Sequence, residues 1–137
     1  MKRLSQHLNE QESDIKGFTI IKPGFVKYAD EIHKYISDKG FNMINNQQIK
    51  LSNHQAHDLY SPHKDKDFYN DLCKYMSSDD CIPATWQYDH SDNPIDAMNK
   101  IKDHFRNKYG KDEMKNCMHS SDSLDNVKRE SKIVFNK

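Results

Sequence analysis

Apolar residues in this chain recur at two spacings, and the change from one to the other predicts where strands and helices lie. Residues 17–21 form a short apolar run rich in β-branched residues that Pro23 ends, so we expect a buried first strand with Lys22 at its carboxyl end. Apolar residues at helical spacing, followed by a glycine stop, come next: Ala29, Ile32, Ile36 and Gly40. From residue 41 to residue 51 the spacing falls to two, which predicts one long strand that is polar in its middle.

The middle of the chain contains two predicted helices and a strand. Ser52 is a suitable cap for a short helix, which Pro62 interrupts. A second helix is expected from about residue 65, with apolar residues on its core face: Phe68, Leu72, Tyr75 and Met76. The alternation over residues 82–88 predicts another strand, in which Pro83 removes a backbone donor and therefore indicates a sheet edge or an irregularity.

The last third of the chain is predicted to contain two further helices. Pro94 suits the first turn of a helix whose apolar residues keep helical spacing: Ile95, Met98, Ile101 and Phe105. Gly110 marks a turn, and another helix begins near Ser123. Residues 133–135 are either a final strand or the packed end of that helix.

Together these elements predict an α+β fold. Their order, β-α-β-(α)-α-β-α-α-β, lacks strict βαβ repetition and favours an antiparallel sheet with helices covering one face. Within that class we expect ferredoxin-like topology, an α/β sandwich. Residues 1–16 mix charges, serine and glutamine with few apolar groups, so we expect a polar N-terminal extension before a single domain at residues 17–137.

Charge and cysteine content exclude several classes of protein. Lys plus Arg and Asp plus Glu both number 21 in 137 residues, so the chain lacks the basic excess of a nucleic-acid tail or a membrane-surface patch. No apolar run approaches the length of a membrane span or a signal-peptide core. The three cysteines form no C-x-x-C pair. We therefore expect a soluble, cytoplasmic protein with reduced thiols and no nucleic-acid or membrane partner.

The strongest chemical signal is a histidine placed just before a predicted helix start. His119 precedes three consecutive residues of the capping type, at positions 121–123. The free amides and the positive dipole end of a helix favour a nearby anion, phosphate in particular. A nucleophilic imidazole there is suited to carry a phosphate, although a histidine that merely precedes a capped helix would give the same short pattern.

Two other sites can be drawn from the same residue types, and both are weaker. One is a zinc site, for which no ligand spacing is strong, built from His54, His57 and His63 with Cys73 or Cys81. The other is a nucleophile pair of Cys117 and His119. Side chains two residues apart point away from each other on a helix and are crowded in a turn, which argues against that pair.

The segment N-x-x-H-x-S-D-S at residues 116–123 resembles the active-site segment of the nucleoside diphosphate kinase family. Other segments resemble that family in the same order: residues 19–23 its first strand, residues 60–69 its Y-x-x-H-x-x-(K/R)-P-F-F stretch, residues 97–102 a helix that ends in arginine, and residues 105–110 its I-R-G-D-F-G turn. The likeness covers residues 17–135, so the domain at residues 17–137 is expected to be nucleoside diphosphate kinase-like. The joint match is more specific than any one motif.

This resemblance implies a role for each matched residue. His119 would accept the phosphate, and Glu130 and Tyr60 would support its ring. The nucleotide would be bound by five residues: Lys22, Lys102 and Arg106 at the phosphates, Phe68 against the base, and Asn116 at the sugar hydroxyl. Lys22 would also assist catalysis, and supporting positions would be filled by His63, Lys66 and Ser121.

The same resemblance implies the reaction and the partners. The γ-phosphate of a nucleoside triphosphate would move to a nucleoside diphosphate by a ping-pong route through a phosphohistidine at His119. Mg²⁺ would arrive with the nucleotide, held mainly by phosphate oxygens, so no metal ligand of the protein's own is expected. The implied partners are nucleoside tri- and diphosphates and further copies of the chain, with a homodimer favoured over a hexamer.

The chain departs from the family pattern most clearly in a loop. The family has two phosphate-binding arginines at the positions of Lys102 and Arg106, so Lys102 stands where an arginine is expected. Relatives carry a loop that ends P-G-T-I-R between those two positions, whereas only residues 103–105 separate them here. A phosphate-binding threonine and the subunit contacts that this loop makes in hexameric relatives are therefore missing. Gly24 also replaces an aspartate, and Asp67 replaces a proline. The alternative function is thus a catalytically weakened nucleoside diphosphate kinase-like module that binds nucleotide.

Overall fold

A four-stranded antiparallel sheet forms the centre of the computed structural model, which describes residues 14–135. The strands are β1 (Gly17–Ile21), β2 (Phe41–Asn46), β3 (Ile82–Tyr88) and β4 (Met118–Ser120). Their order across the sheet is β2-β3-β1-β4, and each neighbouring pair is antiparallel. This order confirms the predicted α+β, ferredoxin-like fold. Most of the predicted N-terminal extension, residues 1–13, lies outside the described residues.

Five helices pack against the sheet within residues 14–135. They are α1 (Ala29–Asp38), α2 (Asn53–Leu59), α3 (Tyr69–Met76), α4 (Pro94–Tyr109) and α5 (Leu124–Phe135). Short 3-10 turns at Val26–Tyr28 and Ser61–His63 lead into α1 and follow α2. Residues 133–135 belong to α5, so the packed helix end, not the final strand, is the correct alternative.

The helices cover both faces of the sheet, so the expectation of one covered face was wrong. Helices α1 and α4 share one buried cluster, which includes Ile32, Ile36, Met98, Ile101 and Phe105. Helices α2, α3 and α5 share a second, which includes Ala56, Leu59, Leu72, Met76 and Val127. Strand β1 contributes to both because successive strand residues point to opposite faces: Ile20 lies in the second cluster and Ile21 in the first. A strand buried on both sides needs a helical layer on each.

Strand β2 is shorter than the strand predicted over residues 41–51. Its register against β3 shifts between Met43 and Asn45, and the strand ends at Asn46. Ile49 pairs again only through a single bridge to Cys81. Such a bulge inserts one extra residue and bends the strand. The alternation of apolar residues in the sequence therefore continues beyond the last residue that pairs with β3.

Pro83 lies in β3, an inner strand of the sheet. Of the two predicted alternatives, a sheet edge or an irregularity, the sheet edge was therefore wrong. Pro83 faces Ile20 of β1, and β2 pairs with β3 on the other side. Its carbonyl accepts from the backbone nitrogen of Gln47, just beyond the last residue of β2. The nitrogen of Pro83 lies on the same side as its carbonyl, past the end of β2, so the missing donor costs the ladder nothing.

Helix α3 begins at Tyr69, four residues later than predicted. Residues 64–68 form turns instead, and Phe68 is 45% exposed. The assignment of Phe68 to the core face of a helix was therefore wrong, because this ring precedes the helix and stays out of the core. The short helix before it was predicted correctly: Ser52 caps α2, and its hydroxyl accepts from the backbone nitrogen of Gln55 at 3.0 Å.

Residues 105–109 are the last turn of α4, although their likeness to I-R-G-D-F-G predicted a turn. Stacked aromatic rings hold this end of α4 against α1 and the turn before it: Tyr28 on Tyr109, with ring centroids 3.8 Å apart, and Tyr35 on His104, at 4.6 Å. The carboxylate of Glu31 also accepts hydrogen bonds from Lys108 and Tyr109. With the loop absent, the helix continues until Gly110, whose backbone is extended.

Candidate active site

A cleft of about 630 Å³ collects most of the residues that the sequence predicted for the site. Those in its lining are Lys22, Tyr60, His63, Phe68, Arg106, Asn116, His119 and Glu130. The remaining three, Lys66, Lys102 and Ser121, do not line it: Lys66 is exposed, Lys102 is half-buried on α4, and Ser121 is buried behind the wall. Segments from both halves of the chain therefore converge on one concave surface.

Strand β4 places His119 in this cleft. The strand pairs with β1, so that His119 lies opposite Ile20, and Met118 and Ser120 on either side are buried. The imidazole is only 18% exposed and meets the ring of Tyr60 edge-on, with centroids 5.7 Å apart. The histidine is thus held by sheet pairing and by an aromatic wall, which restricts its ring to few orientations.

A strained turn precedes the histidine. Cys117 has a φ of 85°, an uncommon value for a residue other than glycine, which costs on the order of 1–3 kcal/mol. The backbone nitrogen of Met118 donates to the carbonyl of Asn116, and the nitrogen of Lys22 donates to the carbonyl of Cys117. Burial raises the pKa of the Cys117 thiol to about 11, so the thiol stays protonated and is no nucleophile partner for His119.

His119, Glu130 and Ser121 form the centre of the site. Nε2 of His119 lies 2.7 Å from Oε1 of Glu130, and the Ser121 hydroxyl donates to the same oxygen at 2.6 Å. Burial opposes ionisation of Glu130, but the hydrogen bonds from His119 and Ser121 and the nearby Arg129 outweigh it, and the pKa of the carboxyl is lowered. An ionised carboxylate accepts only, so Nε2 carries the proton and Nδ1 keeps a free lone pair.

Three cations approach the cleft from β1 and α4. The side chain of Lys22 is almost fully buried, and its Nζ donates to the carbonyl of Met114 at 3.1 Å. Burial, together with the charges of Arg106 and Lys102, lowers the pKa of Lys22 to about 7. Burial and Arg106 also lower the pKa of Lys102. Positive groups this close together lower one another's pKa values, so an anion bound between them would be favoured.

Two buried polar atoms in the cleft wall find no protein partner among residues 14–135. They are the hydroxyl of Tyr60 and Oδ1 of Asn116. The amide nitrogen of Asn116 is used, since it donates to the carbonyl of Glu113 at 2.7 Å. A buried polar atom without a partner costs about 1–3 kcal/mol, which a polar ligand in the cleft would recover.

Sequence reasoning missed several residues that line the cleft. The loop between α4 and β4 contributes Asp112, Glu113 and Met114, and Asp122, Asn126 and Arg129 come from the end of β4 onward. The carboxylate of Asp112 accepts from the backbone nitrogens of Met114 and Lys115, which closes a tight turn in that loop. Asp122 lies within the N-x-x-H-x-S-D-S segment but had no role assigned to it, and no residue pattern marks the other five positions, which reach the cleft through the path of the loop and the packing of α5.

The residues that the structure describes contain no group of three or more His, Cys, Asp or Glu side chains arranged to hold a metal ion. The zinc alternative therefore has no ligand cluster within them: His57 bonds to Tyr69, and His54 pairs with Asp58 on the same helix. No helix in this part of the chain is long and apolar enough to cross a membrane.

Comparison with known proteins gives one consistent result. The family model described as nucleoside diphosphate kinase matches residues 16–137. A nucleoside diphosphate kinase of Persephonella marina is 28% identical over 130 residues, covering 86% of this chain and 91% of the relative. One of Fervidobacterium nodosum is 31% identical over 127 residues, covering 86% of each chain.

Solved structures agree at the level of the fold. The nucleoside diphosphate kinase of Aquifex aeolicus has a TM-score of 0.75 at 20% identity, covering 87% of this chain and 93% of its own. That of Halobacterium salinarum in complex with CDP has a TM-score of 0.72 at 22% identity, covering 88% of this chain and 87% of its own.

Proposed function

The chain belongs to the nucleoside diphosphate kinase family, and we propose that it moves the γ-phosphate of a nucleoside triphosphate to a nucleoside diphosphate through a phosphohistidine at His119. Membership makes the chain a nucleotide phosphotransferase; the ping-pong route and the residue roles are the proposal. The observation that carries it is the 2.7 Å contact between Nε2 of His119 and Glu130 inside a cleft that Lys22 and Arg106 also line.

The contact with Glu130 supports Nδ1 of His119 as the nucleophile. When the ring proton is on Nε2, Nδ1 has a free lone pair and can attack without a separate base. Nδ1 attacks the γ-phosphorus, the bond to the β-phosphate oxygen breaks, and the nucleoside diphosphate leaves with that electron pair. A terminal oxygen of a second nucleoside diphosphate then attacks the phosphorus, and the nitrogen–phosphorus bond breaks. Glu130 balances the positive charge that the ring gains in between.

The other cleft residues fit the nucleotide that this reaction needs. Lys22 and Arg106 would neutralise phosphate charge, which is the main requirement of phosphoryl transfer. Arg106 donates Nε to the carbonyl of Met118, and its terminal nitrogens have no protein partner within residues 14–135. Oδ1 of Asn116 would accept from a sugar hydroxyl, and the half-exposed ring of Phe68 would stack on the base. The ring of Tyr60 would support His119, which it meets edge-on, His63 would lie near the phosphates, and Ser121 would hold Glu130, to which its hydroxyl donates.

Mg²⁺ would enter this cleft with a nucleoside triphosphate. It would neutralise phosphate charge and would be held mainly by phosphate oxygens. The carboxylates of Asp112 and Asp122 in the cleft lining are oxygen donors of the kind that Mg²⁺ accepts, directly or through water.

A weakened module that binds nucleotide is the second candidate, and the uninterrupted α4 favours it. The helix runs straight from Lys102 to Arg106, so no loop residue supplies a phosphate contact there. Lys102 also stays out of the cleft lining, and only its charge reaches Lys22. Lys66 is exposed outside the lining as well. These losses should lower the rate of transfer, although the nucleophile His119 is still in place.

We also propose where the domain begins and in which compartment the protein is found. The backbone nitrogen of Lys16 donates to the carbonyl of Trp86, so the domain that we propose begins at or just before residue 17. The cytoplasm is the proposed location because Cys73, Cys81 and Cys117 are free, buried thiols, as expected in a reducing compartment.

Labelling with γ-labelled ATP tests the proposed reaction. The protein is incubated with this ATP and Mg²⁺, acid-labile label is measured on the protein, and GDP is then added to remove it as GTP. We expect label on the wild type and on His63→Ala, a matched control that alters another histidine of the cleft, but none on His119→Ala. Label that survives in His119→Ala would overturn the assignment, and unlabelled wild type that still binds nucleotide would favour the module.

A further inference from the structure

Arg129 contacts four groups at once, although no sequence pattern singled it out. Its Nε donates to Oδ1 of Asn126 at 3.1 Å and its first terminal nitrogen to the carbonyl of Asp58 at 3.0 Å. The second terminal nitrogen donates to the carbonyl of Leu59 at 3.1 Å and lies 3.4 Å from Oε2 of Glu130. The side chain is one-third exposed and lies in the cleft wall.

One of these contacts completes the environment of the Glu130 carboxylate. Oε1 of Glu130 accepts hydrogen bonds from His119 and Ser121, and the other oxygen, Oε2, contacts Arg129. A carboxylate that is held at both oxygens cannot rotate without losing a charged partner. The guanidinium therefore fixes the direction in which Oε1 faces the imidazole.

The other contacts tie down the end of α2. Asp58 and Leu59 are its last two residues, and a helix end leaves carbonyls without partners inside the helix. Positive side chains are favoured at such an end. Tyr60 follows directly, and its ring forms the wall beside His119. The same guanidinium thus fixes both neighbours of the histidine, Glu130 and Tyr60.

The use of its donors separates Arg129 from an arginine that binds phosphate. A guanidinium has five N–H groups, and four of those of Arg129 are directed to protein atoms. Arg106 has one protein contact through Nε within the described residues, and its terminal nitrogens have none. Lysine could not replace Arg129, because its ammonium group lacks the planar fork that spans two carbonyls and a carboxylate.

We propose that Arg129 is a positioning residue that holds the Nε2–H tautomer of His119 by fixing Glu130 and the end of α2. This rests on the function proposed above, in which Nδ1 of His119 receives the phosphate. The guanidinium does not touch the substrate. It acts on the histidine through the carboxylate and through the wall that carries Tyr60.

The test combines the tautomer of His119 with kinetics. Nitrogen-15 NMR of the histidine rings, assigned with His119→Asn, reports which ring nitrogen carries the proton in the absence of nucleotide. In Arg129→Ala we expect a mixture of tautomers and a rate of phosphoenzyme formation at saturating ATP that falls about 10- to 100-fold, by analogy with the loss of a partner that orients a metal-bound histidine. The dissociation constant of ADP should stay within about twofold, because substrate contacts are unchanged.

Two further variants keep the outcome decisive. Lys128→Ala removes an exposed charge from the neighbouring residue and should leave tautomer, rate and affinity at wild-type values. Arg129→Lys keeps the charge without the fork, so it serves if Arg129→Ala does not fold, and we expect it to restore the rate only in part.

Several results would overturn the proposal. ADP binding weakened tenfold with an unchanged tautomer would make Arg129 a phosphate ligand. A lower melting temperature with tautomer and rate both unchanged would make it a purely structural residue. The NMR measurement needs no turnover, so the tautomer effect stands or falls independently of whether the wild type forms a phosphohistidine.

Discussion

Nε2 of His119 lies 2.7 Å from Oε1 of Glu130, a residue eleven positions later on a different element. The pair depends on two independent structures, the antiparallel pairing of β4 with β1 and the packing of α5 on the second buried cluster. Because the carboxylate is ionised and accepts from Nε2, it decides which ring nitrogen is free to react. The nucleophile proposed for the cleft, Nδ1 of His119, depends on this relationship.

Replacing Glu130 by Gln tests that dependence. A neutral amide can donate to the ring as well as accept from it, so the tautomer is no longer held and the positive ring of the intermediate loses its counter-charge. We expect phosphoenzyme formation at saturating ATP to fall about 10- to 100-fold. In Ser121→Ala, which removes only the second donor to Oε1, the rate of phosphoenzyme formation should fall less. An unchanged rate in Glu130→Gln, measured by rapid quench, would contradict the proposed role.

The elements with a clear hydrophobic period were predictable, and the contacts between distant residues were not. Strand β1, helix α1 and strand β3 follow the sequence pattern because each buries a regular face. The end of α4 does not, since the rings of Tyr28 and Tyr109 meet from positions far apart in the sequence. Their stacking packs the end of α4 against the turn before α1, a contact that the local sequence does not reveal.

The candidate site divides in the same way. His119 and Glu130 could be proposed from the motif and its spacing, and the structure brings them together. Arg129 could not, because its partners Asp58 and Leu59 lie 71 and 70 residues away. Phe68 was assigned to the core face of a helix, but α3 begins at Tyr69, just after this ring. The spacing of the neighbouring apolar residues could not show where the helix begins.

Proton uptake on nucleotide binding is expected from Lys22. Burial lowers its pKa to about 7, so the amine is mostly neutral at pH 8, and a bound phosphate should restore its charge. At pH 8 most of one proton should therefore be taken up per site, whereas less uptake from this group is expected at pH 6. Calorimetric titration with ADP in two buffers of different ionisation enthalpy measures it. Equal heats in both buffers at pH 8 would contradict the prediction.

Lys22 should also make stability depend on pH. Between pH 7 and the ordinary lysine value of 10.5 the unfolded chain holds a proton that the folded chain has lost, so this group contributes a free energy of unfolding that rises with pH. Lys22→Met removes the group, so its stability advantage over the wild type should be largest below pH 7 and shrink towards pH 10. Denaturant unfolding at pH 6, 8 and 9.5 checks the direction, and an advantage that does not change with pH would contradict it.

A proline at residue 107 tests whether α4 continues to Tyr109. In a helix interior, proline removes a backbone hydrogen bond and clashes with the preceding turn, which costs about 3 kcal/mol. Asn107→Pro should therefore lower the free energy of unfolding by about this amount, while Asn107→Ala, a control at the same exposed position, should change it by less than about 0.5 kcal/mol. If both variants unfold like the wild type, the segment is a turn.

Assembly is expected to stop at a homodimer. The resemblance to the family implies that the missing loop would make subunit contacts in a hexamer, and here α4 passes from Lys102 to Arg106 without it. The resemblance also implies a two-fold interface built from sheet and helix surfaces, and those elements are present here. Light scattering at micromolar concentration should return the mass of two chains, and a stable hexamer would contradict the expectation.

Transfer should be slower than in a family member that carries the loop. The absent threonine removes a hydrogen bond to charged phosphate, worth about 1.5–3 kcal/mol. Since each ~1.4 kcal/mol is a factor of ten, kcat/KM should fall about 10- to 100-fold. We do not expect Lys108 or His104 to replace the threonine, because neither lines the cleft: Lys108 pairs with Glu31 and His104 stacks on Tyr35.

Steady-state transfer from ATP to GDP, measured beside a loop-bearing relative, gives the ratio. Glu31→Gln, which weakens the partner that holds Lys108, serves as the comparison within this chain: it should not raise the rate if Lys108 has no part in phosphate binding. A wild-type rate equal to that of the relative would show that another group supplies the lost contact. Bound nucleotide without transfer would favour the binding module, because the cleft would then keep its affinity and lack only the chemistry at His119.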